Sequence, residues 1–120
     1  MEITRINPTR RWSDATIYGG IARFVEIAEA VPPGDIASQV NQILAQAEKR
    51  LATFGSDKTK ILSVTIYITD FANLDTLNGI WDSWFVEGTA PSRSCVRVGL
   101  ADPELLVEMA FTAAAGKGDT

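Results

Sequence analysis

Two periodicities divide the chain. From Ile36 to Phe54, apolar residues recur at spacings of three and four: Ile36, Val40, Ile43, Leu44, Ala47, Leu51 and Phe54. That spacing places them along one side of a helix, while Gln39, Gln42, Gln46, Lys49 and Arg50 fall largely elsewhere. Pro32-Pro33-Gly34 breaks the chain before this helix, and Asp35 is placed to cap it by accepting an orphan amide. Gly55 supplies the left-handed stop. From Lys60 to Thr69 the period becomes two, with Leu62, Val64, Ile66 and Ile68 on one face and Ser63, Thr65, Tyr67 and Thr69 on the other. The aliphatic face suits packing on helices. The second face is polar to aromatic and uncharged, so a cover other than this chain's own helices is expected over it.

The remaining elements follow from turn and cap signals. Ala15-Thr16-Ile17-Tyr18 and Ile21-Ala22-Arg23-Phe24-Val25 flank Gly19-Gly20, the pattern of a hairpin with a two-residue turn. Asp70 is expected to cap a second helix with Phe71, Leu74, Leu77, Ile80, Trp81, Trp84 and Phe85 as its apolar stripe and Gly88 as its end. Pro91 opens a strand from Ser92 to Val98, and a last strand runs from about Leu105 to Ala113. The end of the chain, from about residue 115 to Thr120, reads as a frayed tail. The order β-β-α-β-α-β-β predicts an α+β fold, one sheet with two helices on a single face. A chain of 120 residues is the size of one domain with one core.

Composition then narrows the chemistry. The net charge is −4, and no dense Lys/Arg block exists to displace the counterions of a nucleic acid, which is therefore not an expected partner. The single cysteine, Cys95, excludes an internal disulfide and fits a reducing compartment. Met1-Glu2-Ile3-Thr4-Arg5 has no apolar core of a signal peptide, and no segment approaches the roughly 20 apolar residues of a membrane span. The cytoplasm is the expected location. The chain has no histidine, which removes the commonest general base and the commonest transition-metal ligand. A metal site is not expected, and Ser-His-Asp or Cys-His nucleophiles are excluded. Gly-x-Gly-x-x-Gly and Walker loops are also missing. Catalysis would rest on carboxylates, arginine, hydroxyls, backbone groups and water.

Three residues stand out on those terms. In Pro91-Ser92-Arg93-Ser94-Cys95-Val96, alternation puts Arg93, Cys95 and Arg97 on one face. Arg93 is either an exposed edge residue or structural ion pair, or a clamp whose planar guanidinium matches a carboxylate with two parallel hydrogen bonds. Glu108 is a lone acid in an apolar strand. It is either an ion-pair partner of Arg93, Arg97 or Arg23, or a carboxylate that orients water. Cys95 reads as a small core-compatible residue, since nothing activates it as a nucleophile.

Several segments together resemble the Rid (YjgF-like) family. Trp12-Ser13-Asp14-Ala15 is similar to that family's Tyr-Ser-Gln-Ala box. The stretch Asp57 to Asp70 resembles its central-strand segment, and Leu77-Asn78-Gly79-Ile80-Trp81-Asp82-Ser83-Trp84-Phe85 its Asn-x-x-(Trp/Tyr)-(Asp/Glu)-x-(Trp/Phe) helix. Ala90-Pro91-Ser92-Arg93-Ser94-Cys95-Val96 is close to its Pro-x-Arg-(Ser/Ala)-Cys-Val signature, and Val107-Glu108 to its closing (Val/Ile)-Glu. The resemblance spans nearly the whole chain. It implies a chorismate-mutase-like fold and a homotrimer with clefts between subunits. It also implies hydrolysis of reactive enamines and imines, such as 2-aminoacrylate and its imine tautomer, to 2-keto acids and ammonia without metal or organic cofactor. By the same resemblance Arg93 holds the substrate carboxylate, Glu108 lies near the attacking water, and Trp12, Asn78 and Cys95 belong to the substrate cleft.

One position departs from the family. Many members carry a Ser/Thr-Gly-(Gln/Val) turn after the hairpin, and here the aligned stretch is Val25-Glu26-Ile27-Ala28-Glu29. Glu26 in place of glycine would enter the substrate site and pair with Arg93, or would point to solvent if the strand is shifted. Trp12 also lacks the hydroxyl of the family tyrosine. The expected function is therefore imine deamination. The alternatives are a non-catalytic trimer that binds a small acid or amine in a remodelled cleft, and, against the composition, a ribonuclease.

Overall fold

The computed structural model describes residues 2–30 and 34–116. Six strands, β1 (Thr4–Ile6), β2 (Ala15–Tyr18), β3 (Ile21–Glu26), β4 (Ile61–Ile68), β5 (Ser92–Arg97) and β6 (Val107–Ala114), form one sheet in the order β1-β2-β3-β6-β4-β5. Helices α1 (Ile36–Thr53) and α2 (Leu74–Trp84) cover one face of it. The α+β architecture is the expected one, with β1 as an additional edge strand. The chain break at Pro32-Pro33 and most of the expected tail lie outside the described residues. No helix among the described residues is long and apolar enough to cross a membrane.

Local chemistry explains where each element starts and stops. Gly19 and Gly20 both take positive φ, 62° and 79°, which lets the two-residue turn match the twist of β2 and β3. The Asp35 side chain accepts from the Ser38 amide at 3.0 Å and caps α1. Gly55, with φ 70°, ends that helix by donating to Ala52 O, while Ser56 donates to Leu51 O. Asp70 caps a single 3₁₀ turn, Phe71–Asn73, rather than α2 itself. Phe71 consequently falls outside the apolar stripe and is exposed, and α2 stops at Trp84, short of Gly88.

The core lies between the helices and the sheet. Ala22, Phe24, Val64, Ile66, Ile68, Val107, Met109 and Phe111 face Val40, Ile43, Leu44, Ala47, Leu51, Leu77 and Trp81. Each large side chain buried there contributes about 1.5–3 kcal/mol of transfer free energy. Phe24 stacks on Phe111, with ring centroids 4.9 Å apart. One expected core position is corrected. Ile61 pairs with Ala113 and Ser63 with Thr112, so β4 advances two residues while β6 advances one. This bulge turns Leu62 outward and brings Ile61 into the core.

Three glutamines of α1 do work that their polarity conceals. Gln39 is fully buried; its Nε2 donates to Glu104 O at 3.0 Å, and its Oε1 accepts from Leu106 N at 2.8 Å. Gln46 donates to Ile27 O and accepts from Glu29 N, and Gln42 both donates to and accepts from the Ala30 backbone. Each amide thus stands in for a strand neighbour where the chain leaves β3 or approaches β6. The sequence expectation that these side chains avoid the packed face is wrong for Gln39.

Candidate functional site

β5 is an edge strand, parallel to β4 and paired on one side only. Its register aligns Arg93 with Val64, Cys95 with Ile66 and Arg97 with Ile68, so these three residues lie on the helix-bearing face. At the edge the helix layer covers them incompletely. Arg93 is exposed, and its Cζ sits 5.1 Å from the centroid of the Trp81 ring on α2. Among the described residues Arg93 has no ion-pair partner. The ring therefore holds one face of the guanidinium while its N–H fork stays available. Cys95, next along the same face, packs partly against the core. Burial pushes its thiol above the ordinary range, against the opposing pull of the Arg93 charge, so the sulfur stays protonated near neutral pH. A depression of about 330 Å³ adjoins the ring, lined by Trp81, Phe85, Val86 and Ala90 and by the acidic Asp82 and Glu87.

Asn78 lies on α2 one turn before Trp81, and its Oδ1 is buried without a hydrogen-bond partner. The sequence placed Trp81 in the core, which it is, and missed its second task as the platform for Arg93. The signal was the conjunction of a helix aromatic with the first arginine of the following parallel strand.

The other expected site residues lie elsewhere in the chain's own structure. Glu108 is in register with Tyr67, which is in register with Val96, on the face away from the helices. It is half-buried and has no ion-pair partner among the described residues, so none of the three candidate arginines holds it. Trp12 lies in the loop between β1 and β2, at the opposite edge of the sheet from β5 and on the order of 20 Å from it. This loop is organised by Thr9, whose Oγ1 accepts from the amides of Arg11 and Trp12 and donates to Trp12 O. It holds the indole out with 62 % of its surface exposed. On the open face a hollow of about 340 Å³ is lined by Ser13, Thr16, Arg23, Val25, Ala110 and Thr112.

Glu26 takes neither of its expected orientations. It shares the phase of Ala22 and Phe24, so it points beneath α1 and is 4 % exposed. Its carboxylate accepts from Gln46 Nε2 at 3.0 Å and from Arg50 Nε at 3.1 Å, and Arg50 also reaches Asp14 at 3.9 Å. β6 and β4 separate its strand from that of Arg93. Assigning Glu26 to the substrate site is thereby corrected: it is the anchor of an ion-pair and amide network. Replacing Glu26 with glycine is expected to cost about 2 kcal/mol or more of stability, from the loss of two charge-assisted hydrogen bonds. It should leave 2-keto-acid affinity unchanged. Urea denaturation and calorimetry check both; tighter ligand binding by the variant would return Glu26 to the cleft.

Comparison with known proteins decides the family. The family model described as "Endoribonuclease L-PSP" matches residues 2–115. The chain belongs to this family. The L-PSP assignment agrees with curated relatives: a RutC family protein of Haemophilus ducreyi is 38% identical over 112 residues, covering 93% of this chain and 96% of the relative. Among solved structures, a member of the YjgF protein family from Neisseria meningitidis superposes with a TM-score of 0.88 at 36% identity, covering 95% of each chain. A protein of the Rid family from Yersinia pestis superposes at 0.81 with 30% identity, covering 89% of this chain and 90% of that one. The Rid/YjgF resemblance drawn from the Pro91–Val96 and Val107-Glu108 segments is borne out as L-PSP family membership and fold. No group of three or more His, Cys, Asp or Glu among the described residues of this L-PSP chain could hold a metal ion.

Proposed function

We propose that this protein hydrolyses small reactive imines and their enamine tautomers that carry a carboxylate, giving 2-keto acids and ammonia. The observation that carries the reading is the Arg93 guanidinium: exposed at a sheet edge, backed by Trp81 and without an acidic partner among the described residues. A planar carboxylate fits that fork with two parallel hydrogen bonds. In the reaction, water adds to C2 of the bound iminium, giving a carbinolamine. The C–N bond then breaks as the nitrogen takes up a proton and leaves as ammonia, and the hydroxyl loses its proton to become the keto group. A carboxylate beside the water, Glu108, orients it, accepts its proton and returns that proton to the departing amine. Because an iminium carbon is already electrophilic, placement supplies much of the acceleration.

One chain presents the parts separately: Arg93 at the β5 edge, Trp12 at the β1–β2 edge, and Glu108 on the open face. A head-to-tail arrangement would bring the parts of neighbouring copies together, and where its rotation closes it forms a ring. The uncharged, half-buried Ser63, Thr65 and Tyr67 and the exposed Val25 and Val96 on the open face supply the surface such a ring would bury. We infer a homotrimer, the assembly the Rid resemblance implies, with sites between neighbouring copies, each pairing one copy's Arg93 with groups of the next.

The test is 2-keto acid release when the imine is generated in situ from an amino acid by an amino-acid oxidase. The protein should accelerate release above the spontaneous rate, and light scattering should give about three times the 13.0 kDa chain mass. Absence of any acceleration, from a preparation of that mass, would sink the deaminase reading. It would favour the second reading, a trimer that binds small acids without turnover, for which the placement of Glu108 on the face opposite Arg93 speaks. The net charge of −4 and the lack of histidine speak against cleavage of RNA.

A further inference from the structure

Asn78 Oδ1 is the one side-chain polar atom among the described residues that is buried without a hydrogen-bond partner. A shielded acceptor left unpaired costs about 1–3 kcal/mol, so its retention calls for a donor that arrives later. Its position narrows that donor. At 100° per residue, Ile80 and Trp84 occupy the flank of α2 that meets Asn41 of α1 across a shallow groove. Leu77 and Trp81 point into the core, and Asn78 falls on the remaining flank beside Trp81. That is the flank nearer β5, where Arg93 lies over the Trp81 ring with Cys95 next on the same strand face. Of the side chains on that face of β5, Cys95 offers a weak thiol and Arg93 and Arg97 offer guanidinium groups, and Arg93 is the one that lies over Trp81.

We propose that Asn78 is the positioning residue of Arg93: when a carboxylate is bound, its Oδ1 accepts a guanidinium N–H that the carboxylate does not use. The inference rests on the carboxylate-clamp reading above. The Trp81 ring, 5.1 Å from the guanidinium carbon, holds the group near α2 but accepts no directional hydrogen bond from its N–H fork, which stays free to turn. An acceptor at its margin removes this freedom and aims two N–H groups outward as a pair, lowering the ordering cost of binding. Asn78 touches the arginine and not the reacting atoms.

The probe is 2-oxobutyrate, a carboxylate that does not turn over, titrated by calorimetry into wild type, Asn78→Leu, Arg93→Lys and the double variant. Leucine is close in size and removes an orphaned polar atom, so Asn78→Leu should melt no lower than wild type while binding 2-oxobutyrate about tenfold more weakly. Because the asparagine acts through Arg93, Arg93→Lys should cost less in the leucine background than in wild type. Wild-type affinity in Asn78→Leu, or strictly additive losses in the double variant, would overturn the proposal. So would an absence of 2-oxobutyrate binding by the wild type. Coupled, Arg93-dependent binding without keto acid release in the imine assay would uphold the role of Asn78 and sink only the deaminase reading.

Discussion

Lysine in place of Arg93 lowers kcat/KM for a carboxylate-bearing imine by about ten- to a hundredfold, the expected loss of one charge-assisted, two-point contact. The variant keeps the charge, so long-range attraction of an anion survives, while the planar fork is gone. It also changes the cation–π contact with Trp81, whose ring centroid lies 5.1 Å from the guanidinium carbon. Arg93 is exposed and joined to no acidic residue among those described, so the thermal transition should stay where it is. Steady-state kinetics and a melting curve on the same preparation test both halves. Unchanged kinetics would make Arg93 an ordinary edge residue, and a large drop in melting temperature would make it structural.

The largest stability effect is expected at Gln39, far from any proposed chemistry. Its amide donates to Glu104 O and accepts from Leu106 N, and it is fully shielded from water. Alanine leaves both backbone groups unpaired beneath α1, at about 1–3 kcal/mol each, and opens a small void besides. A loss of roughly 2–4 kcal/mol is a large share of the 5–15 kcal/mol typical of a domain. Urea unfolding measures it, and a change below about 1 kcal/mol would show that water or a local shift replaces the amide.

What the sequence made legible follows from the strength of each local signal. Helix α1 carries six apolar positions in one phase, continued by Phe54 at its C-cap, between an aspartate cap and a glycine stop, and nothing in the tertiary structure opposes them. β1 is only Thr4–Ile6, too short to show a period, and exists because β2 offers an edge. The bulge in β4 was hidden because Ile61 and Leu62 are equally apolar and exchange roles without a trace in composition. Gln39 and Glu26 were misread for a shared reason: polarity was taken to mean solvent or ligand. Yet Gln39 lies three residues after Ile36 on the buried stripe, and Glu26 continues the inward phase of Ala22 and Phe24. At the candidate site, the Pro91–Val96 motif singled out Arg93, which lies on the edge strand β5 over Trp81. The family resemblance supplied positions without directions, and so could not reveal that Glu108 and Arg93 occupy opposite faces of one chain.

The sheet order has a bearing on how the protein is made. Of the six described strands β6 is made last, and it lies between β3 and β4, joining the β1–β3 meander to the β4–β5 pair. Until it emerges, both halves expose an unpaired central edge, Ile21–Glu26 on one side and Ile61–Ile68 on the other. Each half holds only part of the apolar layer that Val107, Met109 and Phe111 complete. Vectorial folding of this sheet is therefore postponed until β6 has been made. The nascent chain depends on avoiding edge-to-edge association until then.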